Sequence, residues 1–219
     1  SGHLDITISD VSIAAIFNDI KNIFSFEIEK KKLNKTNPID FRINVSESAK
    51  KMVVATDEFR LKQILTNLIN NAIKFTESGY IEVGCKPIHE RNLLEFYVKD
   101  TGIGIKKEYT EVIFQRFRKV EDDTANLYRG AGLGLSISQQ LVRLLGGTIW
   151  LESEYRKGSV FYFTIPLLAG KHPRTGKDGY NLVKKIPIIQ NSLILVAEDD
   201  YANYSYLEKL LLKTKATIL

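Results

Sequence analysis

Cysteine is almost missing from this chain: Cys85 is the only one among 219 residues. No disulfide can therefore form within it, and a lone Cys inside an apolar strand pattern reads as a small core side chain. The composition suits a reducing cytosol. Long apolar runs are missing too. None reaches the roughly 18 residues that cross a bilayer, and no secretory signal opens the chain. The start, Ser1-Gly2-His3, lacks Met and reads as a cloning remnant, so the chain is expected to be a piece of something longer. Charge of one sign is scarce outside one stretch. The net charge is +5 and the pI is about 9.1, which invites a nucleic-acid reading. However, Lys171, Arg174, Lys177, Lys184 and Lys185, set against Asp178 alone, supply +4 of that +5 between Leu167 and Gln190. The rest is nearly balanced, and direct nucleic-acid binding is not expected.

What remains is ordinary for a soluble core, with 44% hydrophobic and 26% charged residues. The length suits one full domain plus something small, or two small domains. Residues 4–8 alternate like a short strand. Val11–Lys32 carries Ile13, Ile16, Phe17, Ile20, Ile23 and Phe24 at helical spacing, with Ser9 or Asp10 as the cap. Ile39–Val45 alternates cleanly, and Met52–Ala55 reads as a short strand. Asp57 opens a helix that runs to about Thr76. Tyr80–Lys86 and Leu93–Lys99 form a hairpin. Residues 106–129 are charged and irregular around Phe114 and Phe117. A helix from about Leu133 to Leu145 ends at Gly146-Gly147, and Thr148–Glu152 with Ser159–Ile165 closes the pattern as a hairpin. This mixture predicts an α+β fold: a mixed, mostly antiparallel sheet covered by helices on one face. The expected organisation is a domain at 1–168, a basic linker at 169–191 and a further βα fragment at 192–219. In that fragment Ser192–Ala197 reads as a buried parallel strand.

The richest segment is Asp57–Thr76. At about 100° per residue, Leu61, Ile64, Leu65, Leu68 and Ala72 fall on one stripe. Asn67, Asn71 and Lys74 fall opposite, with Arg60 and Gln63 above them. Asparagine costs roughly half a kcal/mol against Ala inside a helix. Asn67, Asn70 and Asn71 lie too deep for capping, so either an unusual solvated face or a site explains them. An amide oxygen suits Mg2+, and a nearby ammonium suits phosphate.

Two glycine segments follow. Val98–Ile105 places Asp100 at a strand end and Gly102 and Gly104 just beyond it, where backbone can approach a ligand closely; a tight turn with a capping Asp explains the pattern equally. Arg129–Ser138 carries Gly130, Gly132 and Gly134 at the opening of a helix, whose N–H groups attract phosphate. Neither segment is a dinucleotide fingerprint, and Gly170–Asp178 fails as a P-loop in spacing and in its last residue.

Taken in order, these segments resemble the ATP-binding catalytic domain of sensor histidine kinases, in the superfamily that includes DNA gyrase and mismatch-repair ATPases. The asparagine helix is similar to the N box, Val98–Ile105 to the first glycine box, Ile113–Phe117 to the F box and Gly130–Ser138 to the second glycine box. The resemblance covers about residues 4–168. It implies a two-layer α/β sandwich of the Bergerat type that binds ATP and Mg2+. Asn71 is then the Mg2+ ligand, and Asn67 and Lys74 face the phosphates. Asp100 accepts a hydrogen bond from the adenine amino group, while Gly102, Gly104 and Ile105 line the base pocket. Thr164 supports Asp100. Arg118 or Lys119 reaches the phosphates from a lid spanning 106–129. Gly130, Gly132, Leu133, Gly134 and Leu135 form the phosphate-side turn. Two departures stand out: Ala131 replaces a common Thr, and Arg129 a common Gly.

An amide cannot take a proton from water at neutral pH. Asn67 stands where gyrase-type ATPases carry Glu, so the resemblance implies slow hydrolysis and transfer of the γ-phosphoryl to another acceptor. His3, His89 and His172 read as surface histidines, which puts the acceptor histidine on dimerisation helices outside the chain and leaves no catalytic residue within it. The segment from Leu193 to Lys213 resembles the start of a response-regulator receiver, with Asp199 and Asp200 as its acidic pair. The implied parent is a dimeric hybrid membrane sensor of a two-component phosphorelay, with this part cytoplasmic. The competing readings are an ATPase of the gyrase class and a degenerate nucleotide-sensing scaffold.

Overall fold

The computed structural model describes residues 6–32, 39–115, 134–168, 193–194 and 217–218. The chain divides into two units, Ser1–Pro173 and Arg174–Leu219. In the second unit, the described residues form one parallel strand pair, β8 (Leu193–Ile194) with β9 (Thr217–Ile218).

The first unit contains a five-stranded sheet. Its strands are β2 (Ile39–Val45), β4 (Gly79–Ile88), β5 (Leu93–Asp100), β6 (Ile149–Glu154) and β7 (Gly158–Pro166), in the order β2-β4-β5-β7-β6. Only β2 and β4 run parallel; β4–β5, β5–β7 and β7–β6 are antiparallel. The expected mixed, mostly antiparallel sheet is present. Alternation sorts its faces. Ile81, Val83, Leu94, Phe96, Val98, Phe161, Phe163 and Ile165 point to one side and are buried there. Tyr80, Glu82, Tyr97, Lys99 and Tyr162 occupy the other side.

Three helices cover the buried face: α1 (Ile13–Lys32), α3 (Glu58–Phe75) and α4 (Gly134–Leu144). In α1 the buried residues are Ile13, Ile16, Phe17, Ile20, Phe24 and Ile28, a stripe at helical spacing. Ile23, expected in that stripe, lies at its edge and is 44% exposed. In α3 the stripe of Leu61, Ile64, Leu65, Leu68 and Ala72 is buried, widened by Ile69 and Ile73. Phe96 lies at the centre, its ring parallel to Phe17 at 6.2 Å and to Phe163 at 4.8 Å.

The N-terminal expectation is corrected. The first strand, β1, is Ser9–Ser12 rather than 4–8, and it pairs antiparallel with β3 (Val53–Thr56). Ser9 and Asp10 belong to that strand and do not cap α1. Instead Ser12 Oγ accepts the Ala15 N–H at 3.4 Å. A one-turn helix, α2 (Glu47–Lys50), capped by Ser46, was not anticipated. Asp57 does cap α3: its carboxylate accepts the N–H of Arg60 at 3.0 Å and that of Thr7 at 2.8 Å. One buried side chain thus closes the helix end and ties down the incoming chain.

Phe96→Ala removes the middle ring of this stack. The substitution is expected to destabilise the domain by about 3–5 kcal/mol. In urea unfolding this appears as a lower midpoint at unchanged slope.

Candidate functional site

The site is built where α3, the end of β5 and the β6–β7 turn converge. β5 ends at Asp100, which is buried, and the segment Thr101–Ile105 leaves the sheet there. Its backbone is clamped on two sides. Ile103 donates to Phe75 O at the end of α3 (3.2 Å), and Arg156 donates to Ile103 O (2.6 Å). Ile105 donates to Ser153 Oγ (2.8 Å).

The contacts are close enough to require glycine. A Cβ on Gly102 would run into Phe75 O, and one on Gly104, at φ +63°, into Glu154 O. Gly158, facing Asp100 O, has φ +114°. These are backbone-to-backbone approaches that no other residue permits.

Asp100 accepts hydrogen bonds from the Gly102 N–H, at 2.8 Å, and from the Ser159 N–H. Burial pushes its pKa up to about 6, against the opposing pull of those two bonds. Among the described residues no cation pairs with it. A carboxylate so placed keeps lone pairs unused and accepts without donating, which suits an amino group.

Asn67 and Asn71 differ in their surroundings. Asn67 Nδ2 donates to Ser138 Oγ of α4 at 2.7 Å, and its Oδ1 lies against Gly134, where a Cβ would collide with it. It therefore joins α3 to the start of α4. Asn71, one turn further along and half-buried, has no hydrogen-bond partner for its amide among the described residues, so its oxygen can serve as a hard ligand. Lys74 is exposed near the end of α3, its ammonium 5.2 Å from the Phe75 ring centre. Ile105 and Leu135 pack partly buried against the core, as does Phe114, whose ring meets Phe161 edge-on at 6.4 Å. Arg118, Lys119, Gly130, Gly132 and Leu133, with Phe117, Arg129 and Ala131, lie outside the described residues, as does most of the tail.

One expected residue is not brought to the site. Thr164 pairs with Glu95, five positions along the ladder from the Asp100–Ser159 pair. An odd offset puts it on the opposite face, where its hydroxyl accepts the Thr148 N–H at 3.2 Å. Ser159 stands opposite Asp100 instead. The sequence reading missed Ser159 and also Ser138 and Ser153; Ser159 is found only from the β5–β7 register, which sets it opposite Asp100.

These elements define a nucleotide-site type of α+β domain: a buried acceptor, a clamped glycine loop and an asparagine helix beside a glycine-opened helix. The chain matches the model of the histidine kinase-, DNA gyrase B- and HSP90-like ATPases over residues 56–169, just over half its length, and it belongs to that family. Hybrid signal transduction histidine kinase B of Dictyostelium discoideum is 37% identical over 169 residues, covering 76% of this chain and 8% of that protein. The autoinducer 2 sensor kinase/phosphatase LuxQ of Vibrio vulnificus is 40% identical over 152 residues, 68% of this chain and 18% of that protein. The chain thus spans less than a fifth of either. The solved catalytic domain of histidine kinase ThkA is 29% identical with a TM-score of 0.61, covering 74% of this chain and 97% of that one. Full-length ShkA in complex with AMPPNP shares the fold, with a TM-score of 0.66 at 23% identity, over 100% of this chain and 41% of that one.

The raised Asp100 pKa has a sign. Between pH 3.8 and about 6 the folded domain keeps a proton that the unfolded chain has released, so the contribution of Asp100 to stability is fully present below pH 3.8 and is lost as the pH rises through about 6. The rise corresponds to roughly 3 kcal/mol. Asp100→Asn is expected to flatten this part of the pH–stability curve, read from urea unfolding at intervals between pH 4 and pH 7.

Proposed function

We propose that this chain binds Mg-ATP and presents the γ-phosphoryl group to a histidine on dimerisation helices outside it, as one step of a two-component phosphorelay. The observation that carries the nucleotide reading is Asp100: a buried carboxylate, bonded among the described residues only by backbone N–H groups, at the start of a glycine-clamped loop. It accepts from the adenine amino group, with Gly102, Gly104 and Ile105 around the base.

Asn71 offers its amide oxygen to Mg2+. Lys74 and the N-terminus of α4 at Gly134 attract the phosphates, and Arg118 or Lys119 adds charge from the segment between α3 and α4. Bound Mg-ATP supplies the phosphoryl group and the charge neutralisation. The protein's own part is to position and to exclude water. Asn67 holds Gly134 and Ser138 in place and, as an amide, cannot act as a base toward water. That favours transfer over hydrolysis.

His89 sits exposed in a 3-10 turn, His89–Arg91, unlike a phosphoacceptor on a helix, and this supports an acceptor outside the chain. The names of the relatives support a kinase, several of them hybrid or sensor proteins. The structure of ThkA with the response regulator TrrA, 27% identical to this chain, supports a response regulator as partner. The parallel pair β8–β9 supports reading the tail as the beginning of a receiver. We place the parent as a dimeric sensor at the inner or plasma membrane, with this domain in the cytoplasm. No helix among the described residues is long and apolar enough to cross a membrane.

Calorimetry with a non-hydrolysable ATP analogue and Mg2+ tests the reading. The native protein should bind, and Asp100→Asn should weaken binding about 10- to 150-fold, the worth of one hydrogen bond to a charged group. Asn71→Ala should abolish the Mg2+ dependence of affinity while leaving adenosine binding intact. An absence of binding by the native protein would overturn the proposal, and rapid phosphate release would favour an ATPase.

A further inference from the structure

The hydroxyl of Ser153, on β6, lies within hydrogen-bond distance of three groups: Ile105 N at 2.8 Å, Gly158 O at 3.0 Å and Ser159 Oγ at 3.0 Å. A hydroxyl has one proton and two lone pairs. The Ile105 amide can only donate, and the Gly158 carbonyl can only accept. The single Ser153 proton therefore goes to Gly158 O, and one lone pair receives Ile105. The remaining contact closes only if Ser159 donates to Ser153.

That assignment fixes the direction of the Ser159 hydroxyl. Ser159 is buried and stands opposite Asp100 on the same face, a separation of about 5 Å between Cβ atoms. Its proton is committed to Ser153, so only its lone pairs remain for the Asp100 corner. The Asp100 carboxylate takes its bonds from backbone N–H groups and not from that hydroxyl. From the side chains of Asp100 and Ser159 the corner is thus offered acceptors alone.

We propose that Ser153 is a positioning residue for base recognition: one hydroxyl anchors the Ile105 end of the glycine loop and orients Ser159 so that the pocket accepts a purine amino group and rejects a keto group. This rests on the adenine reading of the site. Ser153 itself touches no base. It acts through Ser159 and Ile105, and its loss frees the Ser159 hydroxyl to rotate and donate.

The probes are the imido analogues of ATP and ITP, which differ in the amino or keto group of the purine. Both are titrated calorimetrically with Mg2+ into the native protein and into Ser153→Ala, Ser153→Thr and Ser159→Ala, with melting temperatures recorded in parallel. Native protein should prefer the adenine analogue. Ser153→Ala should lower the adenine-to-inosine ratio about fivefold or more, the worth of about one hydrogen bond. Ser153→Thr, which keeps the hydroxyl, should restore the ratio. Ser159→Ala, which removes the hydroxyl that would otherwise turn to donate, should keep most of the ratio, and combining it with Ser153→Ala should restore most of what Ser153→Ala alone loses.

A purely structural Ser153 shifts the melting temperature and leaves the ratio alone, and that outcome would overturn the proposal. So would a Ser153→Thr protein that behaves like the alanine variant. If Ser153→Ala does not fold, Ser153→Gly takes its place: a lowered ratio that Ser159→Ala restores supports the inference, and an unchanged ratio overturns it. If native protein binds neither analogue, the adenine reading falls and this inference falls with it. If native protein binds and discriminates but Ser153→Ala keeps the ratio, only the role of Ser153 fails.

Discussion

A carboxylate held nearly out of water, with no cation beside it among the described residues, constrains everything around the end of β5. Burying a charge is unfavourable unless hydrogen bonds or a partner offset it, and at Asp100 the Gly102 and Ser159 N–H groups do so only in part. Those two donors come from opposite directions, one from the segment after β5 and one from β7. Asp100 therefore needs both the sharp departure of the chain at Thr101 and the register that sets β7 beside it. A slip of one residue in that register would turn Ser159 to the other face and leave the carboxylate half-supported.

The glycine pattern follows from the same demand. To bring Gly102 N–H back onto Asp100, the loop must lie flat between the end of α3 and the β6–β7 turn. Flatness means that Gly102 meets Phe75 O, Gly104 meets Glu154 O and Gly158 meets Asp100 O without intervening side chains. The turn on the other side is itself strained. Arg156 adopts φ +67°, a conformation costing about 1–2 kcal/mol outside glycine, and it is held there by its bond to Ile103 O. Strain on one side of the loop and a buried charge on the other are both local losses, and the packing of α1 and α3 on the sheet outweighs them. Stability is supplied by the core, and the site draws it down, as expected where function sets the local rules.

Much of this was legible in the sequence where a period was long enough to be unambiguous. The stripe of α3 runs through 18 residues and was read almost completely; β2 and the β4–β5 hairpin alternate cleanly and fell within a few residues of their ends. Short elements were not legible. β1 spans only Ser9–Ser12 and is a strand because β3 pairs with it, a tertiary fact that no local pattern carries. Ser9 and Asp10 looked like caps because Ser and Asp favour caps, but strand pairing overrode that preference. Thr164 failed for a different reason. A hydroxyl in the last strand was matched by residue type, whereas its use depends on pleat parity, and five positions from Ser159 is the wrong parity. Ser153 had no signal of its own. Its importance appears only when β6, β7 and the loop after β5 are placed together.

The asparagines show how one residue type in one helix can serve two purposes. Three poor helix formers within five positions weaken α3, and the helix tolerates them because its other face is buried from Leu61 to Ile73. Asn67 recovers part of the loss by bonding Ser138 and backing onto Gly134, so it works as a joint between two helices. Asn71 makes no such bond among the described residues, and a structural role does not account for it. A half-buried amide whose oxygen has no partner among the described residues, one turn from a joint that fixes the start of the facing helix, fits the ligand role proposed above. The distinction also bears on the chemistry. A residue already engaged as a joint at position 67 has neither the basicity nor the freedom to take a proton from water, so on the reading proposed above one side chain both holds the glycine-opened helix and spares ATP from hydrolysis.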